Sequence, residues 1–259
     1  MVSVDLLEVP VGPRVRGCFT TRGARAASVT RSDPYAGLNL AAHVGDDPER
    51  VARNRRLLTA ALGLPDHGVA WMNQVHSAVV APARRGETPT ADALVLRRDD
   101  PRAPCAAGVL VADCVPLLLA TGDSALMAAV HAGRRGMLDG VVLRTLDAFA
   151  ARGARAADVW AAIGPSVCGA CYEVPEEMRA AAADVEPESA VTTRRGGTPG
   201  LDVAAGVRAQ LRRAGVVHIA RSPWCTLEDR RFYSYRRDGT TGRIAGLVLA
   251  GPARSVIEA

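Results

Sequence analysis

Two histidines and one cysteine stand at the ends of apolar segments. His76 closes Trp71-Met72-Asn73-Gln74-Val75-His76, and His131 closes Leu126-Met127-Ala128-Ala129-Val130-His131 ahead of the turn Ala132-Gly133. Cys114 lies in Val111-Ala112-Asp113-Cys114-Val115-Pro116, where one strand breaks before the next begins. Strand ends are where α/β proteins gather their sites. Two imidazoles and a thiolate form a zinc set with the fourth position open, and the same donors suit copper. The same residues also read as two half-buried histidines and a cysteine packed as a small hydrophobe. Their spacing matches no zinc motif, so residue types alone leave both readings standing.

Three other segments carry chemistry-bearing residues. His131-Ala132-Gly133-Arg134-Arg135-Gly136 joins a strand to a helix. Its glycines allow close backbone approach, and a helix start beside two arginines suits a phosphate or carboxylate. An ordinary strand-to-helix turn with solvated arginines has the same sequence. Cys168-Gly169-Ala170-Cys171 has the C-x-x-C form. A redox or zinc role would require a thioredoxin-like context or a second cysteine pair, so it is read as a structural loop at a strand end. Trp224-Cys225-Thr226 through Phe232-Tyr233-Ser234-Tyr235-Arg236-Arg237 mixes aromatics with arginines, a combination that stacks on a purine, grips an anion, or packs as a sheet edge.

The elements that must position these residues are those of one α/β domain over residues 1–259. A chain of 259 residues with 48% hydrophobic and 23% charged residues has ordinary globular composition and can bury a sizeable core. No apolar run approaches the roughly 18 residues of a membrane span, and MVSVDLLEVP lacks the basic start and apolar core of a signal peptide, which predicts a soluble cytoplasmic protein. The net charge is +5, yet the sequence contains no lysine. Schiff-base chemistry and a phosphate-loop lysine are thereby excluded, and any anion must be held by guanidinium or backbone N–H groups. The basic excess is too dispersed for a nucleic-acid stripe. Six cysteines read as thiols rather than disulfides.

Periodicity and caps predict helices from Asp47-Pro48 to Gly63, over 136–152, from Pro175-Glu176-Glu177, and from Asp202 towards Gly215. Strands are expected at 69–80, 107–112, 115–121, 125–131, 158–163, 216–220 and 244–250. Residues 81–104 and 186–200 read as irregular. The clustering of strands at 107–131 predicts a layered sandwich with mixed β-sheets and flanking helices, rather than a regular doubly wound sheet.

Taken in order, a set of short strings resembles one family. They are Phe19-Thr20-Thr21-Arg22-Gly23, Leu38-Asn39-Leu40, His43-Val44-Gly45-Asp46-Asp47, Asn54-Arg55, Gln74-Val75-His76, Ala112-Asp113-Cys114-Val115-Pro116, His131-Ala132-Gly133, Ile163-Gly164-Pro165, Tyr172-Glu173-Val174, Cys225-Thr226, and Phe232-Tyr233-Ser234-Tyr235-Arg236-Arg237 with Thr241-Gly242-Arg243. The chain is similar in this to the laccase-domain family, also described as purine nucleoside phosphorylases, polyphenol oxidases or peptidoglycan editing factors. The resemblance implies a layered α/β fold and zinc ligands at His76, Cys114 and His131. Arg134 stands where the family usually has tryptophan.

The resemblance also implies phosphorolysis of adenosine, inosine and methylthioadenosine, with deamination of adenosine. Phosphorolysis makes an oxocarbenium-like sugar, so positioning and electrostatics supply most of the catalysis. Arg55, Arg135 and Arg237 are the candidate phosphate holders, and Asn39 and Gln74 are expected at the substrate. Deamination needs a metal-activated water at the purine ring. Asp113, beside a ligand, is the candidate proton relay or orienting group. In a second reading Cys114 is the nucleophile of a hydrolase acting on peptidoglycan precursors, with His76 or His131 as base. A third is a copper-dependent polyphenol oxidase, but five histidines are too few for a trinuclear copper cluster beside this set. The expected partners are a purine nucleoside and phosphate, with no nucleic acid and no membrane, for a monomer or homodimer.

Overall fold

The computed structural model describes residues 3–23, 30–193 and 196–251. Among these, two large sheets stack face to face. The first contains β1 (Leu6–Pro10), β2 (Val15–Thr20), β13 (Ile244–Ala250), β6 (Ala106–Val111) and β3 (Val69–Ala70), in that order. The second runs β12 (His218–Arg221), β9 (Val159–Ile163), β7 (Val115–Thr121), β8 (Leu126–Ala132), β5 (Ala93–Arg97) and β4 (Val80–Pro82). Both are mixed: β3 pairs β6 in parallel and β12 pairs β9 in parallel, while β7 pairs β8 and β9 antiparallel. A small hairpin, β10 (Ala190–Thr192) with β11 (Pro199–Leu201), stands apart.

The period of two along each strand explains the layers. In β7, Leu118 and Ala120 face the inter-sheet core with Phe19, Val109 and Ile244, whereas Val115, Leu117 and Leu119 face the opposite way. That second face is covered by α3 (Val141–Ala150) and α5 (Val203–Arg213), through Val142, Leu146, Phe149, Val207 and Leu211. The outer face of the first sheet is covered by Leu38, Leu40 and by Leu58 and Leu62 of α1 (Pro48–Leu62). Strands buried on both faces are continuously apolar, and this made β6 to β8 easy to read. Among the described residues no helix is long and apolar enough to cross a membrane.

α1 starts on the Asp47 side-chain cap and stops at Gly63, α4 (Glu176–Val185) follows Pro175, and α5 starts on the Asp202 cap, all as expected. The helix expected over 136–152 is instead two: α2 (Arg134–Leu138) and α3, with Gly140 at φ 87° between them. That left-handed backbone interrupts a helix and is cheap only at glycine. The strand expected at 69–80 is likewise two short strands around an irregular loop. Residues 81–104, expected to be irregular, contain β5, a buried strand of the second sheet. The stretch 186–200 contains β10 and β11, with Arg194 and Arg195 outside the described residues. β1 and β2 were not foreseen. A last short helix, α6 (Tyr235–Asp238), is capped by Ser234.

Candidate metal centre and its cavity

The chain crosses from the first sheet to the second in three residues, Ala112-Asp113-Cys114, with Asp113 at φ 88°. This places Cys114 at the start of β7. His131 lies on the adjacent β8, where its neighbour across the ladder is Pro116. His76 comes from the loop between β3 and β4 and holds φ 60°. One ligand atom from each of His76, Cys114 and His131 lies within 4.8 Å of the others. Cys114 Sγ is 3.8 Å from His76 Nε2, and the two imidazole rings meet edge to face at 4.7 Å. Gly133 closes one side so tightly that a Cβ there would lie 2.7 Å from His76 Cδ2 and 3.3 Å from Cys114 Sγ.

The residue that organises this centre is Asp92, immediately before β5. Its carboxylate is fully buried and accepts a hydrogen bond from His131 Nδ1 at 2.7 Å. The backbone N–H groups of His76 and Ser77 donate to it at 3.0 and 2.6 Å, and the Ser77 hydroxyl donates at 2.7 Å. One carboxylate therefore holds the left-handed loop that presents His76 and fixes the ring of His131. With Nδ1–H donated to Asp92, the Nε2 lone pair of His131 is left for a metal. Asp92 falls in a stretch read as irregular, so sequence reasoning missed it. The available signal was an acidic residue directly before the apolar run Ala93-Leu94-Val95-Leu96.

The charges agree with a ligand set. Burial opposes ionisation of Cys114, but the facing His131, helped by His76, more than offsets it and holds the thiol down at about 6. Burial opposes protonation of His131, but the Cys114 thiolate and the Asp92 hydrogen bond push it up to about 9. Burial also opposes ionisation of Asp92, yet bonds from His131 and Ser77 keep its carboxyl well below the usual carboxylate range. These opposite shifts favour a thiolate facing an imidazolium. Two imidazoles and an easily ionised thiolate fit zinc with one position open.

The three donors line a cavity of about 640 Å³ together with Gln74, His43, Tyr172, Arg134, Arg236 and Arg243. The structure redistributes the expected substrate residues. Gln74 lines the cavity, with its amide paired to both backbone groups of Leu110 at 2.7 and 2.9 Å. Asn39 does not line it: it is buried and bonds Ala41, Asp46 and the backbone of Arg243. Arg55 is also off the wall, donating to Leu40 O and lying 5.0 Å over the Trp71 ring, although burial first, and then the charges of Arg243 and Arg55, lower the pKa of His43. Arg237 caps the carbonyls of Thr226, Leu227 and Phe232 and pairs with Asp238. Arg135 is exposed on α2 outside the cavity. The cavity arginines are instead Arg134, Arg236 and Arg243, each within or beside a matched string.

Asp113 lines the cavity, but both its oxygens are engaged, one by the Thr226 hydroxyl at 2.6 Å and one by the Arg236 N–H at 2.7 Å. This arrangement suits an orienting group more than a proton relay. It ties α6, which carries Arg236, to the turn carrying Cys114, while the Arg236 guanidinium lies 4.7 Å over the Tyr172 ring.

Comparison with known proteins agrees with this architecture. The family described as multi-copper polyphenol oxidoreductase laccase matches residues 16–251. The chain belongs to this laccase family. Among relatives, it is 50% identical over 234 residues to a Streptomyces coelicolor protein named purine nucleoside phosphorylase, covering 89% of this chain and 93% of that one. A Corynebacterium glutamicum protein of the same name is 46% identical over 242 residues, covering 90% and 94% of the two chains. The fold is similar to that of the solved Neisseria meningitidis protein NMB0706, with TM-score 0.81, 35% identity and coverage of 96% and 99%. YlmD from Geobacillus stearothermophilus gives TM-score 0.81 at 30% identity, with coverage of 94% of each chain.

Proposed function

We infer that this chain is a zinc-dependent purine nucleoside phosphorylase that also deaminates adenosine. The observation that carries the reading is the convergence of His76, Cys114 and His131 in the lining of a cavity that Arg134, Arg236 and Arg243 also line. The names of its relatives agree with it. In phosphorolysis a phosphate oxygen bonds to the anomeric carbon as the carbon–nitrogen bond breaks and its electron pair leaves on the purine. The three guanidinium groups hold and orient the phosphate, so that its attacking oxygen and remaining negative charge face the anomeric carbon as the sugar becomes cationic. Tyr235, exposed in the cavity lining, offers an aromatic face for the purine. Asp113 acts as a positioning residue for Arg236. Zinc held by His76, Cys114 and His131 would supply Lewis acidity and acidify a water for the deamination. Asp92 keeps the His131 tautomer correct for that role.

One observation favours a second reading. The Cys114 thiol held at about 6 beside His131 at about 9 is also an activated nucleophile, as a hydrolase of peptidoglycan precursors would need. The copper oxidase reading gains less. Of the histidines outside the donor set, His43 lines the cavity, His67 is exposed, and His218 stacks on Trp160 at 4.0 Å, so they cannot converge on a copper cluster.

The test is incubation of the zinc-loaded protein with adenosine, with and without phosphate, beside His76→Ala. Adenine formed only with phosphate and only by the unsubstituted protein supports the phosphorylase, and inosine in both conditions supports the deaminase. No product from zinc-loaded protein refutes the nucleoside reading and directs attention to precursor hydrolysis.

A further inference from the structure

The C-x-x-C segment is not alone. Cys168 and Cys171 lie on the loop after β9, and Cys225 and Glu228 lie on the loop after β12. One ligand atom from each of the four lies within 4.8 Å of the others. We propose that Cys168, Cys171, Cys225 and Glu228 form a second, structural zinc site that clips these two loops together behind the substrate cavity.

The donors are oriented for it. The N–H groups of Cys171 and Tyr172 both donate to Cys168 O, at 2.9 and 3.0 Å, making a tight turn with the two sulfurs at its ends. Gly169 seats this turn against α5's cap: a Cβ there would lie 2.7 Å from Asp202 Cβ. Cys168 N–H donates to Cys225 Sγ at 3.3 Å, and Cys171 Sγ donates to Glu228 Oε1 at 3.2 Å. Neighbouring arginines are paired elsewhere, Arg221 with Asp202 and Arg231 with Asp229, and among the described ion pairs Glu228 has no cation. Contrast Cys18, which is fully buried among leucines and, among the described residues, belongs to no such donor group. Zinc–sulfur bonds of about 2.3 Å on a tetrahedron put donors about 3.8 Å apart, so closure around an ion needs movements of about 1 Å. Binding displaces the three thiol protons to solvent and leaves the ion with four anionic donors.

The place in the fold gives the site its consequence. β9 and β12 are parallel neighbours, and the clip ties the loops that leave their ends. Ser166 pairs with Cys225, Thr226 N–H donates to Ser166 O at 3.1 Å, and Val167 N–H donates to Asp113 O at 3.0 Å. Thr226 also holds the Asp113 side chain. Both clipped loops therefore bear on the residue before Cys114, and Val167 and Tyr172 line the cavity. A closed four-donor site on loops of this kind stabilises the fold, while the site at Cys114 keeps its fourth position open.

The test is metal stoichiometry of the full chain purified under reductant, by mass spectrometry of the metal. Two zinc ions per chain are expected. Cys168→Ser/Cys171→Ser should lose one and keep the other, and Cys114→Ala/His131→Ala should do the reverse. Substitution with cobalt(II) should give the second site about three times the sulfur-to-metal charge-transfer absorbance of the first, because it has three thiolates to the other's one. Glu228→Gln, at an exposed position, should speed zinc loss to a chelator about tenfold and covers the case in which the double variant fails to fold. One zinc per chain that depends on His76, with Cys168, Cys171 and Cys225 titrating as native-state free thiols, would overturn the proposal. So would a disulfide among the three that survives the reductant. One zinc that depends on Cys171 and not on His76 would support the clip while refuting the metal centre of the proposed enzyme.

Discussion

Asp92→Asn is the sharpest probe of the centre, because it changes one charge and no heavy-atom outline. Oδ1 of Asp92 accepts from His131 Nδ1 and His76 N, and Oδ2 accepts from the N–H and hydroxyl of Ser77. Asparagine can place its oxygen on only one of these sides. If it keeps the two Ser77 bonds, its NH2 group faces His131 and His76. The His131 ring then accepts at Nδ1 and carries its proton on Nε2, the atom that must ligate. If it keeps His131, the NH2 group faces the two Ser77 donors, and a buried N–H is left unpaired at a cost of about 1–3 kcal/mol. Loss of such a partner typically weakens metal binding by about 10–100-fold. That corresponds to about 1.4–2.7 kcal/mol. Zinc affinity would be measured by competition with a chromophoric chelator, with circular dichroism to show the fold intact. Ser77→Ala, which removes one bond and leaves the carboxylate and His131 paired, should lose less than Asp92→Asn. Zinc affinity of Asp92→Asn within threefold of the unsubstituted chain would refute the account of Asp92 as the organiser of this site.

Four shorter predictions follow from the same geometry. In metal-free protein, alkylation of Cys114 should rise through about pH 6, because its thiol is depressed from the ordinary range and the thiolate persists above that value; a midpoint in the ordinary thiol range near 8.5 would contradict the ion pair with His131. Gly133→Ala should displace the His76 ring, since its Cβ would lie 2.7 Å from Cδ2, and lower zinc affinity measurably in the same competition assay while thermal unfolding changes little. Arg236→Ala and Arg243→Ala should raise KM for phosphate more than Arg237→Lys does, because the first two line the cavity and the third caps backbone carbonyls. Gly164→Ala should cost about 1–3 kcal/mol in denaturant unfolding, because its Cβ would lie 2.4 Å from the Phe19 ring in the inter-sheet core.

The readable parts of the chain were those where one local rule acted alone. β7 was legible because both its faces are buried and its run from Val115 to Ala120 is apolar throughout. α1 was legible because Asp47 and Gly63 bound it. β5 was hidden because flanking Pro, Arg and Asp residues disguise a short strand whose burial comes from β8 and from the facing sheet. The positions of His76, Cys114 and His131 could be named from type and from resemblance, but nothing local to them shows that they meet. Their meeting depends on the three-residue crossing at Cys114 and on a loop shaped by Asp92. The arginines show the same limit. Arg55 and Arg237 look as available as Arg236 and Arg243, and only tertiary contacts reveal that their N–H groups already serve Leu40, Thr226, Leu227 and Phe232.

The phosphorylase and hydrolase readings use the same three side chains and differ in what neutralises the Cys114 sulfur. In the metal-free chain it is the His131 proton, held there by Asp92 on the ring's other nitrogen. A zinc ion must displace that proton, so apparent zinc affinity should increase as pH rises from about 6 towards 9, the interval bounded by Cys114 and His131. The sign follows from proton release: the imidazolium that ligation requires to be neutral disappears as pH passes about 9, while the thiolate is already present above about 6. A thiol hydrolase predicts the opposite coupling, because its activity requires the ion pair and zinc on the same sulfur would abolish it. Titrating zinc into metal-free protein at pH 7 and following both nucleoside turnover and Cys114 alkylation separates the two. Turnover that rises as alkylation falls supports the phosphorylase, and hydrolysis of a peptidoglycan precursor that falls with alkylation supports the nucleophile.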